Sequence, residues 1–359
     1  MPRKCLKTGG ISFLFCLLAL ASCQTTSKPA SKAKEDLCTQ FNGSEMAIPY
    51  HIFIGKTLNG KERKTVDTAI AQTFAEIDAT FNNANPLSEI SSLNTAAANA
   101  LIPLSVPLQD LLCFCGKLVS LTGGRFDPTV ESLERIWTQS LDQKKIPESK
   151  DLQTVCEGLG WEHISIKNGI YRKNHSETSL DLRGIFKGLC IDWLAERIEN
   201  LGYPDYFIEW GGLMRAKGRH PSIGNWIVQI NPCILSQGKP FAPLPLCDRS
   251  IAMSGDYEPK GKTLPANCSP DGRQHHYLPI YDPIGAKPLE TTPTSIASVI
   301  VQASSCALAD ALATAAMLFP NRQEAEKWAQ EVVTLHPDVS FWILSQSEYP
   351  KLGTRAKRN

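Results

Sequence analysis

The sequence predicts an α+β fold. Strand-like and helix-like stretches are mixed along the chain with no regular βαβ alternation. No internal repeat is present, and 42% of the 359 residues are hydrophobic, the content of a globular protein with a substantial core. That length suits one large domain or two ordinary ones.

The elements follow in order. Residues 46–55, MAIPYHIFIG, read as a strand, and Asn59-Gly60 after it as a hairpin turn or tight loop. Residues 65–82 carry Ala69, Phe74, Ile77 and Phe81 at helical spacing. Residues 106–124 predict a second helix, closed by Gly123-Gly124, and residues 131–141 a third. Residues 164–173 read as a hairpin around Asn168-Gly169. Residues 179–203 run strand, glycine turn, helix. YFIEWGG, NWIVQI, SIAMSG and SIASVIVQ are short strands, and the last feeds a small-residue helix, ADALATA, at residues 309–315. Residues 324–333 and 339–346 give a final helix and strand.

The first 22 residues are read as an export signal rather than fold. A basic start, MPRKCLKTGG, precedes the apolar ISFLFCLLALAS, too short for an ordinary spanning helix. Leu20-Ala21-Ser22-Cys23 resembles the bacterial lipobox, in which the cysteine is lipidated; a plain secretory signal is the alternative. The expected organisation is a signal at 1–22, lipidated Cys23 and a polar tether at 23–40, a folded domain at 41–350 and a basic tail at 351–359. The chain is then exported and lipid-anchored to a bacterial membrane, facing the periplasm. Export permits disulfides. Cys233, Cys247 and Cys268 fall in a Pro-rich stretch that they could staple, whereas Cys113, Cys115, Cys190 and Cys306 sit in apolar patterns expected of buried thiols. No C-x-x-C pair occurs, so zinc and thioredoxin chemistry have no support.

With 37 basic and 36 acidic side chains, the formal net charge is +1, and no global field exists to draw nucleic acid. Any phosphate must be held locally, and two stretches suit that. DLRGIFKG, residues 181–188, places Gly184 and Lys187 at a helix entry, where unpaired N–H groups favour an anion. Alone it fits an ordinary turn as well. ADALATA stacks Asp310 and Thr314 four apart on one helix face, two hard oxygens of the kind Mg²⁺ prefers. Alone, Asp310 could equally be a helix cap. Asp127 in GGRFDPTV precedes Pro128 and is therefore extended, so it could be aimed from a loop; an ordinary turn fits equally.

In order the chain shows SEISSLN, G-x-FDPTV, DL-x-GI-x-KG, GG-x-x-RA-x-G, SGDY, DP-x-G-x-x-P and ADALATA. That series resembles the ApbE family of flavin transferases, from about Met46 to Phe319. The resemblance implies a two-lobed single α+β domain with FAD in a cleft between the lobes. It implies Mg²⁺ held by Asp310, Thr314 and the Gly184 carbonyl, with Lys187 beside them. FAD contacts are implied for Met46, Phe126, Asp127, Asp181, Lys187, Ser254 and Ile280. The implied reaction moves FMN from FAD to a threonine or serine in a D-x-x-[ST]-G-A-[ST] sequence of an acceptor protein, typically a subunit of a redox-driven ion pump. Hydrolysis of FAD to FMN and AMP, or FAD binding without turnover, are the alternatives.

Departures from the family pattern fall at Ala84, where an aromatic is usual, at Glu209 and Leu213 around the glycine pair, and at Ile284. Pro279 stands where a histidine, the candidate base, is common. His275, His276 and Asp256 are the nearby substitutes.

Overall fold

Two strands, Thr39–Glu45 (β1) and Ile48–Ile54 (β2), form an antiparallel hairpin whose two-residue turn holds Met46 and Ala47 at positive φ. The computed structural model describes residues 37–228, 243–256 and 261–348, so the signal, Cys23, most of the tether and the C-terminal tail lie outside the described residues. β1 starts two residues inside the span read as tether. Thr39 Oγ1 ties it down, donating to the Lys56 carbonyl at 2.9 Å and accepting the Leu58 N–H at 2.8 Å.

Helix α1 spans Gly60–Phe81, α2 Glu89–Thr95, β3 Ile102–Pro103, α3 Val106–Leu121, α4 Glu131–Asp142 and α5 Ser149–Cys156. Then come β4 (Ile164–Lys167), β5 (Ile170–Lys173), α6 (Phe186–Asn200), β6 (Tyr206–Trp210), β7 (Leu213–Lys217), β8 (Trp226–Val228), β9 (Leu244–Leu246) and β10 (Arg249–Gly255). β11 (Lys262–Leu264), β12 (His275–Asp282), β13 (Lys287–Glu290), β14 (Ile296–Ala303), α7 (Cys306–Met317), α8 (Arg322–Leu335) and β15 (Ser340–Ser345) complete the order.

Seven strands make one antiparallel sheet, ordered β1-β2-β6-β7-β10-β14-β15. This is the mixed, non-doubly-wound arrangement the sequence predicts. The strand period of two sorts the side chains. Tyr206, Ile208 and Trp210 of β6 join the main core, with α1, α6 and α7, while Phe207 packs with Met214, Trp226 and Ile251 on the other face. In β14 a bulge between Ile296 and Ser298 resets the phase, so Ile296 and Val299 both join the main core. A smaller sheet, β11-β12-β13, packs on α4 through Leu133, Trp137, Leu264 and Tyr281.

Four expectations are corrected. Asn59-Gly60 is a helix start, not a hairpin turn. The Asn59 side chain accepts the N–H groups of Lys61 and Glu62 at 3.0 Å each, and Glu62 accepts the Asn59 N–H at 2.9 Å, a capping box. The strand expected before the DLRG turn is reduced to a bridge between Ser179 and Val130. Cys113 is exposed, because the buried stripe of α3 runs through Leu108, Leu111, Leu112, Cys115 and Leu118. Cys247 and Cys268 are unbonded exposed thiols, and Cys233 lies outside the described residues. The Asn168-Gly169 turn is as expected, with both residues left-handed between β4 and β5.

Candidate active site

Helix α7 leaves β14 through Ser305, whose hydroxyl accepts the Leu308 N–H at 3.2 Å. Ser305 is therefore the cap, and Asp310, a turn further in, is free of that duty. Asp192 of α6 holds the same helix start, accepting from Ser305 Oγ (2.8 Å), Cys306 N (2.9 Å) and Ala307 N (3.0 Å), and Arg215 pairs with it. These bonds fix α7 against α6 and so fix where Asp310 and Thr314 point.

A cleft of about 380 Å³ opens beside this helix. Asp310, Thr314 and Leu318, each four residues apart, line one side. Phe126, Asp127, Asp181, Gly184, Lys187, Ser254 and Ile280 line the rest, together with Ile48, Arg125, Arg183, Met253 and Tyr281. The structure thus brings together nine of the ten expected contact residues. Met46 is not among the lining residues; it sits at the hairpin turn, packed on the core, while Ile48 lines the cleft.

Asp310 is only 5% exposed and accepts the Gly188 N–H at 3.3 Å through Oδ2. Burial pushes its carboxyl above the ordinary value, while the Lys187 charge and the Gly188 bond pull it back. A Cβ on Gly184 would stand 3.3 Å from Thr314 Oγ1 and 3.4 Å from Phe126. Glycine lets the backbone approach the threonine hydroxyl without crowding it. Carboxylate, hydroxyl and close backbone form an oxygen-rich corner. It differs from a classical ligand cage, since no three His, Cys, Asp or Glu side chains cluster among the described residues. Such a corner fits Mg²⁺, which takes few protein oxygens and fills its shell with phosphate and water.

The segment carrying Asp181 is held by two asparagines acting as a strand partner. Asn94 donates to the Leu180 carbonyl (2.8 Å) and accepts its N–H (2.7 Å); Asn83 donates to the same carbonyl (2.5 Å) and accepts the Leu182 N–H (3.2 Å). Buried Lys173 clamps the preceding residues, donating to the carbonyls of Asn94 and Thr178 at 2.9 and 2.8 Å. Asp181 itself faces Arg183, which donates to Oδ1 from Nε at 3.0 Å and to Oδ2 from Nη2 at 2.8 Å. Arg183 also pairs with Glu134. Burial raises the Asp181 carboxyl to about 6. Asp127 is committed to its loop. It accepts from Thr129 N (2.9 Å), Thr129 Oγ1 (2.8 Å) and Trp161 N (3.1 Å), so it shapes the cleft wall more than it reaches across.

The ApbE family model matches residues 46–337. The chain belongs to the ApbE family. Curated FAD:protein FMN transferases resemble it closely. That of Chlamydia pneumoniae is 34% identical over 89% of this chain and 94% of its own length, and that of Chlamydia trachomatis 36% identical over 82% and 88%. Among solved structures, the Pseudomonas stutzeri flavinyl transferase ApbE superposes with a TM-score of 0.74 at 21% identity, covering 88% of this chain and 93% of that one. The ApbE protein of Thermotoga maritima gives 0.71 at 20% identity, covering 86% and 94%. The mixed α+β fold is that of ApbE crystal structures.

Two of the departures from the ApbE pattern can be placed in the structure. Glu209 accepts the Gly212 N–H at 2.8 Å and so closes the turn in which Gly211 and Gly212 take positive φ. Pro279 lines the cleft, and neither neighbouring histidine does. His275 is held by Asp271 (2.9 Å) and Glu290 (2.6 Å), and His276 sits 3.2 Å from Thr263 Oγ1. Sequence reasoning missed Arg125, Arg183, Met253 and Tyr281. The arginines are variable letters inside the motifs, and their neighbours gave the signal that pointed to the loop.

Proposed function

We propose that this chain is an FAD:protein FMN transferase. It takes FMN from FAD, joins it by a phosphoester bond to a threonine or serine hydroxyl of an acceptor protein, and releases AMP. The observation that carries the reading is the oxygen corner of Asp310, Thr314 and Gly184 beside Lys187, in a chain that spans nearly the whole length of relatives bearing that activity.

In this reading FAD lies in the cleft as a two-lobed site, and Mg²⁺ is held by Asp310, Thr314 and the Gly184 carbonyl. When bound, the ion supplies positive charge to the pyrophosphate. The protein's own groups do the rest. Lys187 places a second positive charge near Asp310, and the start of α6 offers backbone N–H groups. Phe126 and Ile280 give apolar walls for a flavin ring, and Ser254 a polar contact. The acceptor oxygen bonds to the FMN-side phosphorus as the P–O bond to AMP breaks, and the hydroxyl proton is released. Fixed cations around the pyrophosphate favour a transition state with charge on the leaving oxygen.

The lipobox-like Cys23 supports lipid anchoring on the exported side of a bacterial membrane, and an acceptor with a D-x-x-[ST]-G-A-[ST] sequence in an exported redox-pump subunit suits that address. FAD hydrolysis, with water in place of the acceptor, would use the same oxygen corner and is the second reading. Incubating the protein with FAD, Mg²⁺ and an acceptor peptide, then weighing the peptide, separates the two. Transfer adds an FMN-sized mass to the peptide. Hydrolysis gives free FMN and AMP with the peptide unchanged.

A further inference from the structure

Among the described residues three cationic side chains line the cleft, and they are compensated differently. Arg183 is neutralised by Asp181 and Glu134, and Lys187 lies close enough to Asp310 to hold its carboxyl down. Arg125 makes no ion pair with any carboxylate among the described residues. Its guanidinium stacks over the Phe319 ring at 4.0 Å, and Nη1 donates to the Leu318 carbonyl at 3.0 Å. Those two contacts hold the plane in place and use one end of a group that carries five N–H donors. Leu318 is four residues beyond Thr314 on the cleft side of α7, so Arg125 sits at the continuation of the Asp310–Thr314 line. The Phe126 ring next to it reaches the Gly184 corner.

A half-buried, planar guanidinium that is already oriented, lines a cleft and lacks a carboxylate is suited to bidentate donation to an oxyanion such as phosphate. We infer that Arg125 is a specificity-determining residue that binds a phosphate oxygen of the dinucleotide. It thereby selects the phosphorylated flavin over riboflavin. A helix C-cap role for Arg125 would require only the Leu318 bond. The inference rests on the flavin-transferase reading, and the experiment distinguishes the two.

Equilibrium binding of FAD, inorganic pyrophosphate and riboflavin is measured for the parent, Arg125→Gln and Arg125→Lys, with melting curves for each. Gln removes the charge and is too short to keep the Leu318 bond, so the melting curves report that structural loss separately. Arg125→Gln is expected to weaken FAD and pyrophosphate at least about ten-fold, with riboflavin affinity unchanged and melting lowered by no more than about a few degrees. Arg125→Lys should recover about half of that loss on a logarithmic scale, as a point charge without the fork. Equal pyrophosphate affinity in parent and Arg125→Gln, or equal weakening of all three ligands, overturns the inference. Failure of the parent to bind FAD at all would instead remove the flavin-transferase reading.

Discussion

Replacing Gly184 with alanine should separate function from folding. The added Cβ would lie 3.3 Å from Thr314 Oγ1 and 3.4 Å from both Thr314 Cγ2 and Phe126 Cε2. These contacts are shorter than the 3.5–4.0 Å optimum by only a few tenths of an ångström, and the neighbours are side chains, which can shift. Gly184 has no left-handed φ, so alanine meets no backbone strain. Its lower unfolded-state entropy stabilises by about 0.4–1 kcal/mol, and the crowding costs about 1–2, a net loss of roughly 1 kcal/mol. The methyl also stands against the Thr314 hydroxyl, in the corner assigned to the ion. A displacement of about 1 Å there would cost on the order of 100-fold in rate, so a shift of a few tenths of an ångström is expected to cost on the order of a few-fold. The assay is FMN labelling of an acceptor peptide alongside thermal unfolding. Labelling at the parent rate, with the melting temperature little changed, would show that this corner has no part in the reaction.

Gly188 tests the opposite case. A Cβ there would meet the Cys306 carbonyl oxygen at 2.5 Å and Ala307 Cα at 2.7 Å, backbone atoms of α7 that cannot step aside. Gly188→Ala should cost about 3 kcal/mol or more in denaturant unfolding, and parental stability would refute the close helix packing. Glu209 gives a pH test. Burial raises its carboxyl, against the pull of the Gly212 N–H and His51. The folded chain therefore binds that proton more tightly than the unfolded one. The resulting stability is full below the unfolded value and is lost as pH rises through the raised one. Glu209→Gln keeps an acceptor for Gly212 and cannot ionise, so it should melt above the parent at neutral pH, with the gap closing towards pH 4. A gap independent of pH would contradict this.

The long, periodic elements were legible because burial imposes period: Phe74, Ile77 and Phe81 in α1, or the alternation in β6. α2 and α5 were not. α2 is seven residues with Ile90 and Leu93 buried, and α5 buries only Val155, too little apolar surface to mark a stripe. The strand expected before Asp181 failed for a different reason. Side-chain amides of Asn83 and Asn94 do the pairing, and no local pattern reports a partner about 90 residues away. At the site, motif order indicated which residues meet, and the i, i+4 spacing put Asp310 and Thr314 together. That Asp127 turns into its own loop, and that Arg125 stacks on Phe319, depend on contacts between distant segments.

The most direct measurement is FAD- and Mg²⁺-dependent labelling of an acceptor peptide by Asp310→Ala, read by mass spectrometry beside the variant's melting curve. The account predicts that the FMN adduct disappears while the protein remains folded. An adduct formed at the parental rate by the folded variant would contradict it.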